Sequence, residues 1–382
     1  MRRSPQGSFA PTRRVWSEMT VDTHVPECAS TDLIVAQALI DVAATLSDVC
    51  ARPPRWQGAH GGGVASCAFF LVSAASVHLV EAAVADPRIR AVDVSVETMA
   101  GFGAIEASIA TGRLQVVIGG SGPGTMGVLP AIPGARSQGA SVLVLTPRTP
   151  AALLGAYDIQ ESSHFHPLHA VGAELYDAFI PLGDAAEMPR LATRLRHLFA
   201  RPQGAVVHVS VPTNILAQPC PQLPGLHDLQ VALPAPSALT VQRIVGLMER
   251  GGGRTAFLLG NGCVPHRTRL DTLVARLDAV HFSTPAAVGV LPGSLGVIGN
   301  AGSGDVARRL RELDVRCLIV LGTRLGTASG GGNPELLPEA CAVVHVDIDA
   351  GAVAGNAMAM RGRPVLAVTS DLGEFIDALM PR

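Results

Sequence analysis

Lysine is missing from all 382 residues, so each of the 29 basic side chains is an arginine. Its absence removes two large enzyme classes, because a pyridoxal phosphate Schiff base and a Walker A phosphate loop both need that amine. Long apolar runs are missing too: Gly, Pro, Arg or Asp interrupts every stretch well short of the roughly 20 residues that cross a bilayer. The positive mean hydropathy therefore reflects Ala, Val and Leu in short buried runs, not a membrane. The opening arginines lead into Ser4-Pro5-Gln6-Gly7 with no apolar h-region, which argues against a secretory signal and makes a cytoplasmic protein the expectation. The seven cysteines are far apart, with no C-x-x-C pair, and are expected to be reduced and mostly buried. Charge of one sign is lacking as well. With a net charge of -2 and arginines scattered in pairs such as Arg13-Arg14 and Arg308-Arg309, there is no basic stripe to follow a nucleic-acid backbone.

What is present is core-forming residues, 48% hydrophobic against 16% charged, in a chain long enough for two or three domains. Residues 1–30 mix Arg, Ser, Pro, Thr and Glu without periodicity and read as a flexible N-terminal arm. Apolar residues at helical spacing over Leu33–Val49 lead through Arg52-Pro53-Pro54 and Gly61-Gly62-Gly63 into a first strand at Cys67–Ser73. Strands then follow at 91–96, 115–119, 141–145, 178–181 and 205–211, with helices near 76–86, 98–111, 125–138 and 185–200. Strands that are apolar throughout and separated by helices imply a parallel sheet covered on both faces. Five prolines between Gln218 and Ser237 mark a linker at 217–237. A second alternation follows over 238–382, with strands at 255–260, 280–284, 317–322, 342–347 and 364–368 and helices near 240–250, 304–313 and 371–380. The fold class read from this pattern is α/β, with two doubly wound parallel-sheet domains at 31–216 and 238–382.

One segment concentrates the candidate chemistry. An apolar strand ends in Glu97, a small-residue helix runs to Thr111-Gly112, and a second strand leads into Ser121-Gly122-Pro123-Gly124. Open α/β sheets bind ligands at the carboxyl ends of their strands, and Val96, Met99 and Ala100 beside Glu97 would keep water from its carboxylate. The plainer alternative makes Glu97 only the N-terminal charge of the 98–111 helix. Gly122-x-Gly124-x-x-Gly127 also satisfies a dinucleotide fingerprint, but no acidic residue follows at Thr146-Pro147-Arg148, where only a 2′-phosphate would suit Arg148. His164-x-His166-x-x-His169 could be imagined as a metal site. Pro167 breaks any shared helical face and no Cys or carboxylate pair completes a shell, so these histidines read as solvated or core and no metal ligand is assigned.

In order and spacing, Glu97, Thr111-Gly112, Val116-Val117-Ile118 and Ser121-Gly122-Pro123-Gly124 resemble the pyrimidine-binding domain of thiamine diphosphate (ThDP) enzymes of the acetolactate synthase, pyruvate oxidase and decarboxylase type. Ile159-Gln160-Glu161 is similar to that family's Phe-Gln-Glu, and Gly204–Pro212 to the strand closing its first domain. Leu258–Gly262, Ser283-Thr284, Leu318–Arg324 and Val344–Asp349 are similar to its central, Rossmann-like domain. The pattern also departs: Val96 stands where the family has His, Glu106-Ala107-Ser108-Ile109 where it has Gly-Tyr-Ala-Arg, Gly127 where it has Asn, and Ser73-Ala74-Ala75 replaces a glycine-rich turn.

The resemblance implies that Glu97 hydrogen-bonds the aminopyrimidine N1′, favouring the tautomer whose own nitrogen deprotonates the thiazolium C2. It implies that Gly122, Pro123 and Gly124, with Ser121, let backbone approach the ring, and that Gln160 lies near the reacting carbon. The substrate would be a 2-oxo acid, decarboxylated or used in acyl-carbanion transfer. The family's Gly-Asp-Gly…Asn segment for Mg²⁺ and diphosphate does not occur in the sequence, so the expectation is a lyase or transferase subunit in a hetero-oligomer, with Mg²⁺ and diphosphate held by a separate polypeptide. Central domains of this family bind FAD in some members and nothing in others, and the residues here do not decide between them. The rival reading is a non-catalytic binding or regulatory subunit of the same fold.

Overall fold

The structure, a computed structural model, describes residues 33–54, 66–153, 170–299, 303–326, 337–338, 340–359 and 365–380. Gln160 and the histidines at 164, 166 and 169 lie outside the described residues, as does the 1–30 segment.

The first sheet is parallel throughout. Its strands are β1 (Ser66–Phe70), β2 (Ile89–Asp93), β3 (Gln115–Ile118), β4 (Val142–Arg148), β5 (Ala178–Pro181) and β6 (Val206–Pro212), ordered β2-β1-β3-β4-β6-β5. Side chains alternate across it with the period of two that a strand dictates. Val116, Ile118, Leu143, Leu145, Val207 and Val209 join one buried cluster, and Val117, Val142, Val144 and Val206 join another on the opposite face. Helices α1 (Val35–Val49), α2 (Val77–Ala85), α6 (Met188–Phe199) and the short α7 (Thr213–Leu216) cover the first face, contributing Leu39, Leu79, Leu195 and Leu216. Helices α3 (Glu97–Thr111) and α5 (Ile132–Gln138) cover the second through Ala104, Ile105, Ile132 and Ala135. Fully burying each such Leu or Ile contributes on the order of 1.5–3 kcal/mol.

The second sheet repeats the scheme with five parallel strands: β7 (Thr255–Leu259), β8 (Val280–Ser283), β9 (Cys317–Leu321), β10 (Ala342–Asp347) and β11 (Val365–Thr369), ordered β11-β10-β9-β7-β8. Phe257, Leu259, Ile319 and Val344 pack against α8 (Ala238–Arg250), α9 (Arg267–Arg276) and α12 (Leu372–Leu379), with Phe375 fully buried. Leu258, Leu318, Val320 and Val343 face α10 (Ser303–Glu312). Two doubly wound α/β sheets, each covered on both faces, are thus present.

In each sheet the winding reverses after the second strand. From β1 the chain goes outward to β2 and then back across to β3; from β7 it goes to β8 and then back to β9. Such reversals leave a crevice at the carboxyl ends of the central strands.

Two differences from the sequence reading bear on the site. The strand read as 91–96 is β2 and ends at Asp93, because it is an edge strand whose one neighbour, β1, stops at Phe70; the last bond between them runs from Val94 N–H to Phe70 O, 2.9 Å. Glu97 is therefore the first residue of α3, not the last of a strand. The stretch read as a single helix over 125–138 is α4 (Pro123–Val128), a 3₁₀ turn at Leu129–Ala131, and α5. Prolines at Pro130 and Pro133 divide it, since each lacks the N–H a continuous helix needs.

Leu33–Ile34–Val35 is held beside the start of the proline-rich stretch. Val35 N–H donates to Gln218 O (2.9 Å), Cys220 N–H donates to Leu33 O (2.7 Å), and Ile34 bridges Pro219 in antiparallel fashion.

Candidate functional site

Of the six candidate residues, Ser121, Gly122, Pro123 and Gly124 form a loop at the first reversal with Glu97 brought over it, and Gln160 lies outside the described residues. That loop follows β3 as Gly119-Gly120-Ser121-Gly122 and turns directly into α4. Gly122 sits at φ 53°, a left-handed conformation suited to glycine, and Pro123 occupies the first helical position, where its missing N–H costs nothing. Gly124 N–H closes the turn on Ser121 O (3.2 Å), Met126 N–H bonds Gly122 O (3.1 Å), and the Thr125 hydroxyl donates to Gly120 O (3.1 Å). Ser121 is buried within the turn.

Glu97 lies across this loop. A Cβ added to Gly124 would stand 2.9 Å from Glu97 Oε1, and one added to Gly127 would meet Glu97 Cβ at 3.0 Å and Oε2 at 3.2 Å. The two glycines are thus the cradle in which the carboxylate rests, and the Thr98 hydroxyl fixes the start of α3 to the same loop through Gly127 O (2.7 Å). Glu97 is half-buried, and among the described residues no group gives it a hydrogen bond or an ion pair. A partly desolvated carboxylate without an internal donor is poised to accept one from a ligand.

The apolar neighbours do not shield Glu97 as the sequence suggested. Val96 is 46% exposed and Met99 55%, because they face away from the sheet. Phe102, three residues further along α3, and Met126 on α4 are exposed too. The carboxylate is held on one side by glycine backbone and bordered on the other by an uncovered apolar strip. Sequence reasoning missed three participants: Gly120, Gly127 and Ser73. A Cβ added to Gly120 would make ordinary contacts with Ser73 Oγ, Gly124 Cα and Glu97 Oε1, at 3.6, 3.7 and 3.8 Å.

The dinucleotide fingerprint is not used in its ordinary way. The approach that its glycines keep clear for a diphosphate is filled at Gly124 and Gly127 by the Glu97 carboxylate, which would repel one. Arg148 is buried and donates to Leu182 O (3.0 Å). Among the described residues no group of three His, Cys, Asp or Glu could hold a metal ion, and no helix is long and apolar enough to cross a membrane.

Residues 63–168 match the family described as thiamine pyrophosphate enzyme, N-terminal TPP binding domain, and residues 242–379 match its central domain. The chain belongs to the thiamine pyrophosphate enzymes. Within that family it is similar to acetolactate synthase isozyme 1 large subunit of Escherichia coli (24% identity, 75% of this chain and 49% of that protein). It is similar also to sulfoacetaldehyde acetyltransferase of Rhodobacter capsulatus (26%, covering 77% and 49%) and acetolactate synthase of Mycobacterium bovis (25%, covering 70% and 44%). The chain spans about half the length of the relatives it matches.

In this thiamine pyrophosphate enzyme chain a cavity of about 430 Å³ lies elsewhere, at the reversal of the second sheet. Asn261, Arg324, Asp347 and Asp349 line it on the side of that sheet's strand ends, and Arg52 lines it from the first half of the chain. Burial pushes the Asp347 carboxyl above its usual range. It pulls the neighbouring His345 imidazole, which contacts Thr323 O at 2.7 Å, below its own. Arg52 is occupied structurally, donating to Gly139 O, Pro202 O and Ser141 Oγ at 3.0–3.1 Å.

Proposed function

We propose that this chain supplies the aminopyrimidine-facing half of a ThDP site in an acetolactate synthase-like enzyme that acts on a 2-oxo acid by decarboxylation or acyl-carbanion transfer. A separate polypeptide holds diphosphate and Mg²⁺. The observation that carries this reading is the unpartnered Glu97 carboxylate resting on the Gly124–Gly127 cradle at the first sheet's reversal. The residues fit the group: a flat heterocycle can approach glycine backbone closely, and a half-buried carboxylate binds a ring N–H more strongly than a solvated one does.

ThDP, when bound, supplies the electron sink that decarboxylation next to a carbonyl requires. Glu97 accepts a hydrogen bond at its carboxylate, and so holds a proton on the ring nitrogen that faces it. Ser121, Gly122, Pro123 and Gly124 set the distance between that carboxylate and the ring face, and Thr98 keeps α3 from drifting away. Gln160 is the polar group assigned to the reacting carbon. The exposed side chains of Val96, Met99, Phe102 and Met126 support a second protein surface closing over the site, since among the described residues nothing covers them.

The test is native mass spectrometry of the tagged chain purified gently from its own cells, with release and identification of bound cofactor. A stoichiometric second protein together with ThDP is the expected result. A homo-oligomer that carries no ThDP would overturn the catalytic reading in favour of a non-catalytic subunit.

A further inference from the structure

Around the cavity at the second sheet's reversal, hydrogen-bond donors are used up and acceptors are left over. A diphosphate such as that of FAD is held by free backbone N–H groups where a strand turns into its helix. Here the protein consumes those donors itself. After β7, Gly260 N–H donates to Leu321 O (2.8 Å), Gly262 N–H to Gly322 O (3.0 Å) and Cys263 N–H to Gly260 O (3.0 Å). After β9 and β10, Gly322 N–H donates to Val346 O (3.0 Å) and Asp349 N–H to Asp347 Oδ1 (2.9 Å). The glycines serve this backbone packing: a Cβ on Gly260 would run into Gly322 O, and one on Gly262 would stand 2.9 Å from Gly322 Cα. β7 leads into a 3₁₀ turn, Asn261–His266, so α9 begins only at Arg267, well past the strand end. The cations are engaged as well. Arg52 is bonded as described above, and Arg324 lies 3.4–3.5 Å from Arg136 O through its two Nη atoms and 3.6 Å from Asp349 through Nε.

What remains in the walls is acceptors. Asp347, only 8% exposed, receives a single hydrogen bond, on Oδ1, and its other oxygen receives none among the described residues. The buried amide oxygens of Asn261 and Gln203 receive none either, and unpaired buried acceptors are costly until a donor reaches them. With Asp349 and Asp371, the described lining holds three carboxylates against two guanidinium groups, while burial lowers the pKa of the His266 imidazole beside them. The rest of the wall is largely apolar, with Ile109, Val264, Pro285, Ile348 and Leu372. We infer that this cavity takes an uncharged ligand, an apolar ring carrying hydroxyl groups such as a nucleoside or riboflavin, and that FAD and other diphosphates do not fit it. The hydroxyls donate to Asp347, as ribose hydroxyls do to an acidic residue at a strand end, and to the Asn261 and Gln203 amides, while the ring lies on the apolar wall. A diphosphate would meet carboxylates where it needs donors. A volume of about 430 Å³ is within the ordinary range of small-molecule sites. The inference is independent of the ThDP reading and concerns the other crevice.

The experiment is isothermal titration calorimetry of the full chain with adenosine, riboflavin, ADP and FAD, run on wild type, Asp347→Asn and Gln203→Met, with a melting curve for each protein. Adenosine or riboflavin should bind saturably and at least tenfold more tightly than ADP and FAD, the tighter of the two identifying the ring. Asp347→Asn should weaken the uncharged ligand by about tenfold and narrow the discrimination against ADP, since it removes a charged acceptor and a repelling charge together. Gln203→Met, on the other wall, should weaken it by about three- to tenfold and keeps the test open if Asp347→Asn fails to fold. ADP or FAD binding as tightly as the uncharged probes, or FAD released from the purified protein, overturns the inference. So does the absence of saturable binding by both adenosine and riboflavin. Unchanged affinity in every variant that melts as wild type does places the ligand elsewhere and overturns it too.

Discussion

The two sheets reverse their winding in the same way, yet the two crevices that result are opposites. At the first, a carboxylate rests on glycine backbone beside exposed apolar side chains, and the described residues form one wall. At the second, strand ends carrying Asp347 and Asp349 face Arg52, and a cavity of about 430 Å³ is walled by this chain on both sides. The same reversal therefore gives one crevice that this chain encloses and one that its described residues leave open. The lesson is that the volume of a cavity measures how much of a site one chain encloses, not where its chemistry lies.

The contrast predicts unequal responses to substitution. The largest is expected for Glu97→Gln, which preserves shape and removes the charge: turnover of the complete enzyme should fall by about 10²-fold or more, read by product formation at saturating substrate. An undiminished rate would remove Glu97 from the chemistry. Gly124→Ala comes next. Its methyl meets only the mobile end of Glu97, at 2.9 Å, so the melting temperature should hardly move while the displaced carboxylate lowers turnover by roughly tenfold. An equal loss of stability and activity would show that the cradle serves the fold instead.

Further down the scale, replacing both Met99 and Phe102 by Ser should weaken association with the separate chain proposed above by about tenfold, measured by analytical ultracentrifugation. Being exposed, these side chains should contribute little to the stability of this chain alone. Leu143→Ala, at a fully buried position of β4, is the control, with an expected cost of about 2–5 kcal/mol in urea unfolding.

The smallest effect concerns pH at the enclosed crevice. Burial lowers the folded pKa of His345 beneath its ordinary 6.5. The unfolded chain therefore binds more protons just below that value, and stability should decline as pH falls through about 6.5 and below. Asp347 is raised above 3.8, so its contribution has the opposite slope, with stability lost as pH rises from 3.8 toward the folded value. Urea midpoints for His345→Gln and Asp347→Asn across pH 4–8 check both signs. A wild-type slope retained in either variant assigns the effect to other groups.

Much of this architecture is written in local patterns. The strands at 178–181 and 342–347 have the bounds read from their apolar runs, because an apolar run flanked by breakers determines where pairing can extend. β2 was overrun, since the alternation Val92-Asp93-Val94-Ser95-Val96 continues past the end of its only partner. Helices α9 and α11 (Ala350–Ala359) are not visible in the sequence. The first buries only Leu270, Leu273 and Val274 among charged residues, and the second is built from Ala and Gly with little face-to-face contrast. At the site, Glu97 and the glycine loop are legible from their order and spacing. Ser73 and Gly120 are not, because they come together across neighbouring strands β1 and β3 and share no local motif.

The hydrogen bonds that pin Leu33–Val35 to Gln218–Cys220 give residues 33–220 a common doorway through which the chain enters and leaves. A unit whose two ends meet can be cut from one polypeptide and spliced into another, or circularly permuted, without threading anything through its interior. Modules of this kind are easily rearranged among genes, since a new neighbour at either end inherits the same point of attachment.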